Sequence, residues 1–147
     1  MKQFGDYKIV ASRDAVWDAL NDPHILGSCI LGCESIKKLG ETNFDIFVKA
    51  KVGPVKAKMR VQLELTDLVP QESYTIQGAA KVGVAEFAKG TAFVSLSDQD
   101  GGTVLTYEVD AYMRGKLVRV DSSLIDRAAR KIADDFFSNF AQRVPSE

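Results

Sequence analysis

Residues 121–143 read DSSLIDRAARKIADDFFSNFAQR, and this stretch decides the fold. Leu124, Ala128, Ile132, Phe136 and Phe140 recur every four residues, with Ile125, Ala129, Ala133, Phe137 and Ala141 beside them. Apolar positions with this period make one broad helix face that packs on a core. Asp121 or Ser122 can cap the start, where a side-chain oxygen satisfies free backbone N–H groups, and Pro145 stops the end. Asp126–Arg130, Arg130–Asp134 and Lys131–Asp135 are spaced as solvent-facing pairs on the opposite side. At ~1.5 Å per residue the helix is about 34 Å long. It needs a large surface to lie on, and the rest of the chain reads as the sheet that supplies one.

Working back from the helix, the clearest strand pattern is Phe44, Ile46, Val48, Ala50 and Val52, alternating with polar residues. After Gly53-Pro54 the alternation resumes at Val55, Ala57, Met59, Val61, Leu63 and Leu65. A two-residue turn at 53–54 sets Val48 opposite Met59 and Ile46 opposite Val61, so both apolar faces coincide. Pro70 breaks the pattern; Tyr74, Ile76 and Gly78 alternate in the next strand, and Gly83 marks a turn. Ala85 and Phe87 share one parity while Ala92, Val94 and Leu96 have the other, so a bulge is expected at Gly90. Residues 98–102 form a turn, and Leu105, Tyr107, Val109, Ala111 and Met113 finish the sheet. Near the start, residues 2–10 read as a strand interrupted at Gly5. Ser12 caps a short helix carrying Val16, Trp17 and Leu20; Pro23 opens a second, with Gly27 as its expected stop. Short turns between successive strands give an antiparallel sheet, and one long helix on it makes the class α+β. Small inward residues (Ala50, Ala57, Gly78, Ala92, Ala111, Ala128) leave room for a cavity.

Composition narrows the function classes. The 147 residues, 46% hydrophobic and 27% charged, read as one domain spanning 1–147 of an ordinary globular protein. A net charge of −1 gives no global field for nucleic acid. No apolar run reaches the ~18–20 residues of a membrane span, and the start has no signal-peptide core, so a cytoplasmic location is expected. Cys29 and Cys33 are too few for a disulfide framework, and with His24 as the single histidine no metal site is expected. Both cysteines read as packing or loop residues.

The order of elements resembles the START-like, Bet v 1-like (SRPBCC) helix-grip fold. That fold is a curved antiparallel sheet, here of about six to seven strands, around a long C-terminal helix, with two short helices after strand 1. The stretches ILGCESIKKLGETNFDIFVKAKVGPVKAKM, FAKGTAFVSL, GGTVLTYEVDAYMRGKL and AARKIADDFF are similar to the CoxG family, the G subunits of carbon monoxide dehydrogenase. Leu31 stands where that family usually has proline. Asp121 stands where a glycine is common, which suggests an earlier helix start. The resemblance implies a non-enzymatic accessory protein, without a covalent cofactor, that binds a lipophilic quinone or lipid. It implies association with a carbon monoxide dehydrogenase-type molybdenum hydroxylase and peripheral attachment to the inner membrane face.

Within this layout the expected cavity residues are Val48, Met59, Val61, Ile76, Phe87, Tyr107, Leu124, Ala128 and Ile132, with Leu26 and Ile30 as a lid. Tyr107 is the expected polar handle, because a phenol in an apolar interior seeks a partner. The alternative is that these residues fill an ordinary core. Lys49, Lys51, Lys56, Lys58 and Arg60 face away from the core and form a basic patch. The register opposes Lys49 to Lys58 and Lys51 to Lys56, and like charges across a ladder are destabilising. The patch suits anionic headgroups or an acidic partner protein; a solvated face that discourages edge aggregation is the alternative. No hydrolase or phosphate-loop motif is present. Two other functions remain open. One is a polyketide cyclase or dehydratase-like enzyme using Tyr107 or Glu86 on a hydrophobic substrate; the other is a chaperone-like protein-binding module.

Overall fold

The computed structural model describes residues 1–52 and 55–145, with the side chains at 50–52, 55, 57, 116 and 117 outside the description. The expected turn at Gly53-Pro54, the inward placement of Ala50 and Ala57, and the Lys51 side chain therefore lie outside the described residues. In chain order the elements are β1 (Lys2–Ile9), α1 (Arg13–Leu20), α2 (Pro23–Cys29), β2 (Cys33–Leu39), β3 (Asn43–Val52), β4 (Val55–Val69), β5 (Ser73–Val82), β6 (Ala85–Gln99), β7 (Gly102–Met113), a 3-10 turn at Gly115–Arg119, and α3 (Ser122–Arg143). The strands form one antiparallel sheet ordered β1-β7-β6-β5-β4-β3-β2. From β2 onward each strand pairs with its neighbour in sequence. The two short helices carry the chain from one sheet edge, β1, to the other, β2. This is the helix-grip arrangement that the family resemblance implies.

The hairpin register is as expected: Ile46 pairs with Val61 and Val48 with Met59. Three glycines depart from expectation, each for a steric reason. β1 runs unbroken through Gly5, where a Cβ would come within 2.9 Å of the Tyr107 ring. α2 continues past Gly27 to Cys29; a Cβ at Gly27 would meet Ile36 at 2.8 Å, so this glycine lets helix and strand approach. The extra residue in β6 is Phe87, because Ala80 pairs with Ala88 and Lys81 with Glu86. Gly90 instead lies within the regular ladder, opposite Gly78 and Ala111, where a Cβ would sit 2.5 Å from the Asp110 carbonyl.

Asp121 accepts from the Ser123 backbone N–H at 2.8 Å and caps α3. The helix therefore starts where its own cap sets it, after the 3-10 turn. Of the three expected ion pairs, Lys131–Asp135 forms at 3.0 Å. Asp134 accepts a hydrogen bond from the Tyr7 hydroxyl instead, and Gln3 Nε2 donates to the Asp126 carbonyl at 2.7 Å. Both bonds tie α3 to β1.

Packing is uneven along the grip. At one end Phe140, Val16 and Leu105 are completely buried, and Trp17 meets Tyr74 edge-on at 5.4 Å. The cross-strand row Tyr74–Val94–Tyr107 is the last fully buried one. The next rows are Ile76–Ala92–Val109, Gly78–Gly90–Ala111 and Ala80–Ala88–Met113. They are only partly buried and mostly too small to fill the space beneath the helix. Sequence thus sets where the core ends: large side chains stop, and alanine and glycine take over.

Candidate functional site: an apolar hollow under the long helix

Two hollows lie where the large residues stop. One, of about 350 Å³, is bordered by Tyr107 and Val109 from the sheet, Ala129, Ile132, Ala133 and Phe136 from α3, and Cys29, Ile30 and Leu31 at the end of α2. The other, of about 280 Å³, runs along the sheet floor over Val61, Ile76, Ala80, Ala88, Ala92 and Ala111. Val109 lines both. Ile132 sits on the apolar stripe of α3, lines the first hollow and is 55% exposed.

Of the residues expected at the cavity, Ile30, Tyr107 and Ile132 line the first hollow and Val61 and Ile76 the second. Val48 is buried in the core, and Leu26 packs against it. Met59, Phe87, Leu124 and Ala128 line neither of these two hollows. For Phe87 the reason is the bulge, which takes it out of the alternation that brings Ala88 inward. Sequence reading misses Gln3, Val109, Ala129, Ala133 and Phe136. For the helix residues the signal is present: Ala129 and Ala133 stand one position on from the Leu124–Ala128–Ile132 stripe, and Phe136 continues it. Gln3 shares its strand parity with Tyr7 and Ile9, which marks it as an inward polar residue.

The polar side chains that line the first hollow are those of Gln3, Tyr107 and Asp135. The Tyr107 hydroxyl is buried and has no hydrogen-bond partner among the described residues. Its ring lies in a near-parallel stack, 5.9 Å from Tyr7 and 5.4 Å from Phe137. Gln3, only 6% exposed, reaches the rim. Burial, then the hydrogen bond to Asp134 and the proximity of Tyr107, push the Tyr7 phenol well above its ordinary value. Tyr7 therefore stays protonated and uncharged. Cys29 is buried, and burial pushes its thiol up, which suits packing rather than reactivity. Glu86 sits 3.5 Å from Arg114 and lines neither hollow.

A larger groove, about 670 Å³, crosses the outer face of the sheet among Asn43, Gln62, Glu64, Gln77, Lys89 and Asp110. It is rimmed by polar side chains, so it suits a lipophilic molecule less well than the two apolar hollows do. On the same face the basic patch is partly neutralised. Arg60 makes a two-pronged bond to Asp45, both contacts at 2.8 Å, and this holds the Asp45 carboxyl below its usual range. Lys49 approaches Glu34 at 3.7 Å. Lys56 and Lys58 are exposed and make no ion pair among the described residues. The opposed registers Lys49–Lys58 and Lys51–Lys56 are present in the ladder. No helix among the described residues is long and apolar enough to cross a membrane.

Comparison with known proteins agrees with this architecture. The sequence pattern of the CoxG family, the carbon monoxide dehydrogenase G subunits, matches residues 5–145. A conserved protein from Geobacillus kaustophilus superposes with a TM-score of 0.89 at 26% identity, over 98% of this chain and 95% of that one. A START superfamily protein from Mycobacterium smegmatis gives 0.74 at 11% identity, over 97% and 96%. Ara h 8.0201 gives 0.73 at 12% identity, over 100% and 99%. At such low identity the last two show the fold alone. No curated protein matches the sequence.

Proposed function

We propose that this chain, which belongs to the CoxG family of carbon monoxide dehydrogenase G subunits, binds a lipophilic small molecule, a quinone or lipid, in the hollow under α3. Family and fold together suggest a hydrophobic-ligand-binding protein, and the two apolar hollows that share Val109 are the observation that supports this most. Each tail CH₂ that enters gains about 0.8 kcal/mol, so a short apolar channel is enough for tight binding. The role is carriage without catalysis, in the service of a molybdenum hydroxylase of the carbon monoxide dehydrogenase type at the inner membrane face. Native mass spectrometry of gently purified protein, with organic extraction of what it carries, tests the reading. A bound quinone or lipid at one per chain is expected. A protein that emerges empty and takes up neither on addition contradicts it.

Membrane contact, in this reading, runs through the exposed β4 lysines. Lys56→Glu together with Lys58→Glu is expected to weaken binding to phosphatidylglycerol vesicles by at least about thirtyfold, since each charge near an anionic surface contributes about 1 kcal/mol. Co-sedimentation at low and high salt measures it. Unchanged sedimentation would leave the patch as a solvated face.

A further inference from the structure

We infer that the outer face of the sheet, beside the edge strand β1, receives an arginine side chain of a partner protein in a cleft between Phe4 and Phe93. The inference is independent of the ligand proposed for the hollow. Phe4, Glu108 and Phe93 lie side by side on β1, β7 and β6. Along β6 and β7 this row alternates with Ala92 and Val109, which line the hollow along the sheet floor, so it belongs to the opposite face. Both phenylalanines are exposed, Phe4 by 75% and Phe93 by 44%. With Glu108, Asp110 and Lys2 they border a cleft of about 380 Å³. Exposed apolar side chains scattered singly are ordinary; two aromatic side chains on one cleft, with a carboxylate between them, form a site.

The chemistry of the cleft fits a guanidinium. Neighbouring strands are about 4.8 Å apart, so Phe4 and Phe93, one strand to either side of Glu108, stand about 9.6 Å apart at the backbone. A cation held midway, over Glu108, comes within the ~6 Å of both rings at which an aromatic face attracts it. Of the charged side chains that line the cleft, Glu108 and Asp110 are acidic and Lys2 is basic. Neither carboxylate makes an ion pair among the described residues. Lys2 stands opposite Asp110 in the ladder, so it offsets one charge and leaves the cleft net negative. A guanidinium is planar, stacks on aromatic side chains and gives two parallel hydrogen bonds to one carboxylate; a lysine ammonium is a compact, strongly hydrated point charge. A free small cation in so exposed a place keeps most of its water and is held weakly. An arginine carried by a protein gains from the contacts around it. Because β1 is the last strand of the sheet, a partner reaches the cleft without displacing another strand.

The test is a backbone NMR titration of the full chain with a glycine-serine peptide that carries one central arginine. The same peptide with citrulline or lysine in that place, and tetramethylammonium, are the comparisons. Citrulline keeps the shape of arginine and lacks its charge. Saturable shifts at Phe4, Phe93 and Glu108 are expected with the arginine peptide, weaker binding with the lysine peptide and tetramethylammonium, and no saturation with the citrulline peptide. Phe4→Ala and Glu108→Gln are each expected to weaken the arginine peptide about two- to fivefold. Both side chains are exposed, so the fold tolerates either change. No saturable shift at these three residues, equal binding of the citrulline peptide, or unchanged affinity in either variant would overturn the cation site. Equal or tighter binding of the lysine peptide would overturn the assignment to arginine. Equal or tighter binding of tetramethylammonium would make the occupant a free cation and overturn the protein partner.

Discussion

Ala129→Trp is expected to abolish ligand binding while the protein stays folded. Ala129 lies on α3, half-buried, and lines the hollow together with Tyr107 and Ile132. An indole there enters space that no protein atom occupies, so it displaces the ligand rather than the core. A tail of about ten carbons gains several kcal/mol from burial, and its exclusion corresponds to a loss of more than about a hundredfold in affinity. Arg130→Trp, on the exposed side of the same helix, is the control and should bind as before. Titration with decyl-substituted benzoquinone checks the affinity, and circular dichroism checks the fold. A folded Ala129→Trp protein of unchanged affinity would place the ligand elsewhere.

Phe140→Ala is expected to cost about 3–5 kcal/mol of stability. Phe140 is fully buried, lies in a near-parallel stack 6.0 Å from Phe136, and anchors the end of α3 in the core. Truncation leaves a void among rigid neighbours, so transfer energy and lost packing add together. The urea midpoint should fall with little change in slope. A cost under about 1 kcal/mol would mean that the helix end repacks freely, which contradicts an anchor there. Phe140 and Ala129 thus separate two jobs of one helix. Its C-terminal end holds the fold, and its middle roofs a space.

Much of this was legible in the sequence, because period is a strong signal. The four-residue repeat of residues 124–141 gives the helix, and the alternation of residues 44–65 gives a register that the ladder reproduces. The family resemblance rests on segments spread along the chain, and the family pattern covers residues 5–145. The site was harder. Periodicity says which residues face inward, but not where inward residues stop touching one another. That depends on side-chain volume summed across strands, as in the step from Tyr74–Val94–Tyr107 to Ile76–Ala92–Val109.

Local glycine readings fail for a related reason. Gly5, Gly27 and Gly90 look like breaks when only their own strand or helix is considered. Each instead answers a neighbour distant in sequence: Tyr107, Ile36 or Asp110. The Phe87 bulge is visible as a parity conflict, yet the conflict could be resolved at any residue between Phe87 and Ala92. Ion pairing is also only partly legible. Spacing alone assigns Asp134 to Arg130, whereas burial of the Tyr7 ring brings a phenol to Asp134 first.

The most direct measurement is a methyl-resolved NMR titration of the full chain, with labelled alanine, isoleucine and valine, against decyl-substituted benzoquinone. The account predicts saturable shifts at Ala88, Ala92, Val109, Ala129 and Ile132, with Val16 and Ile9 in the packed core unmoved. Shifts confined to methyl groups that line neither hollow, or no shifts at all, would contradict it.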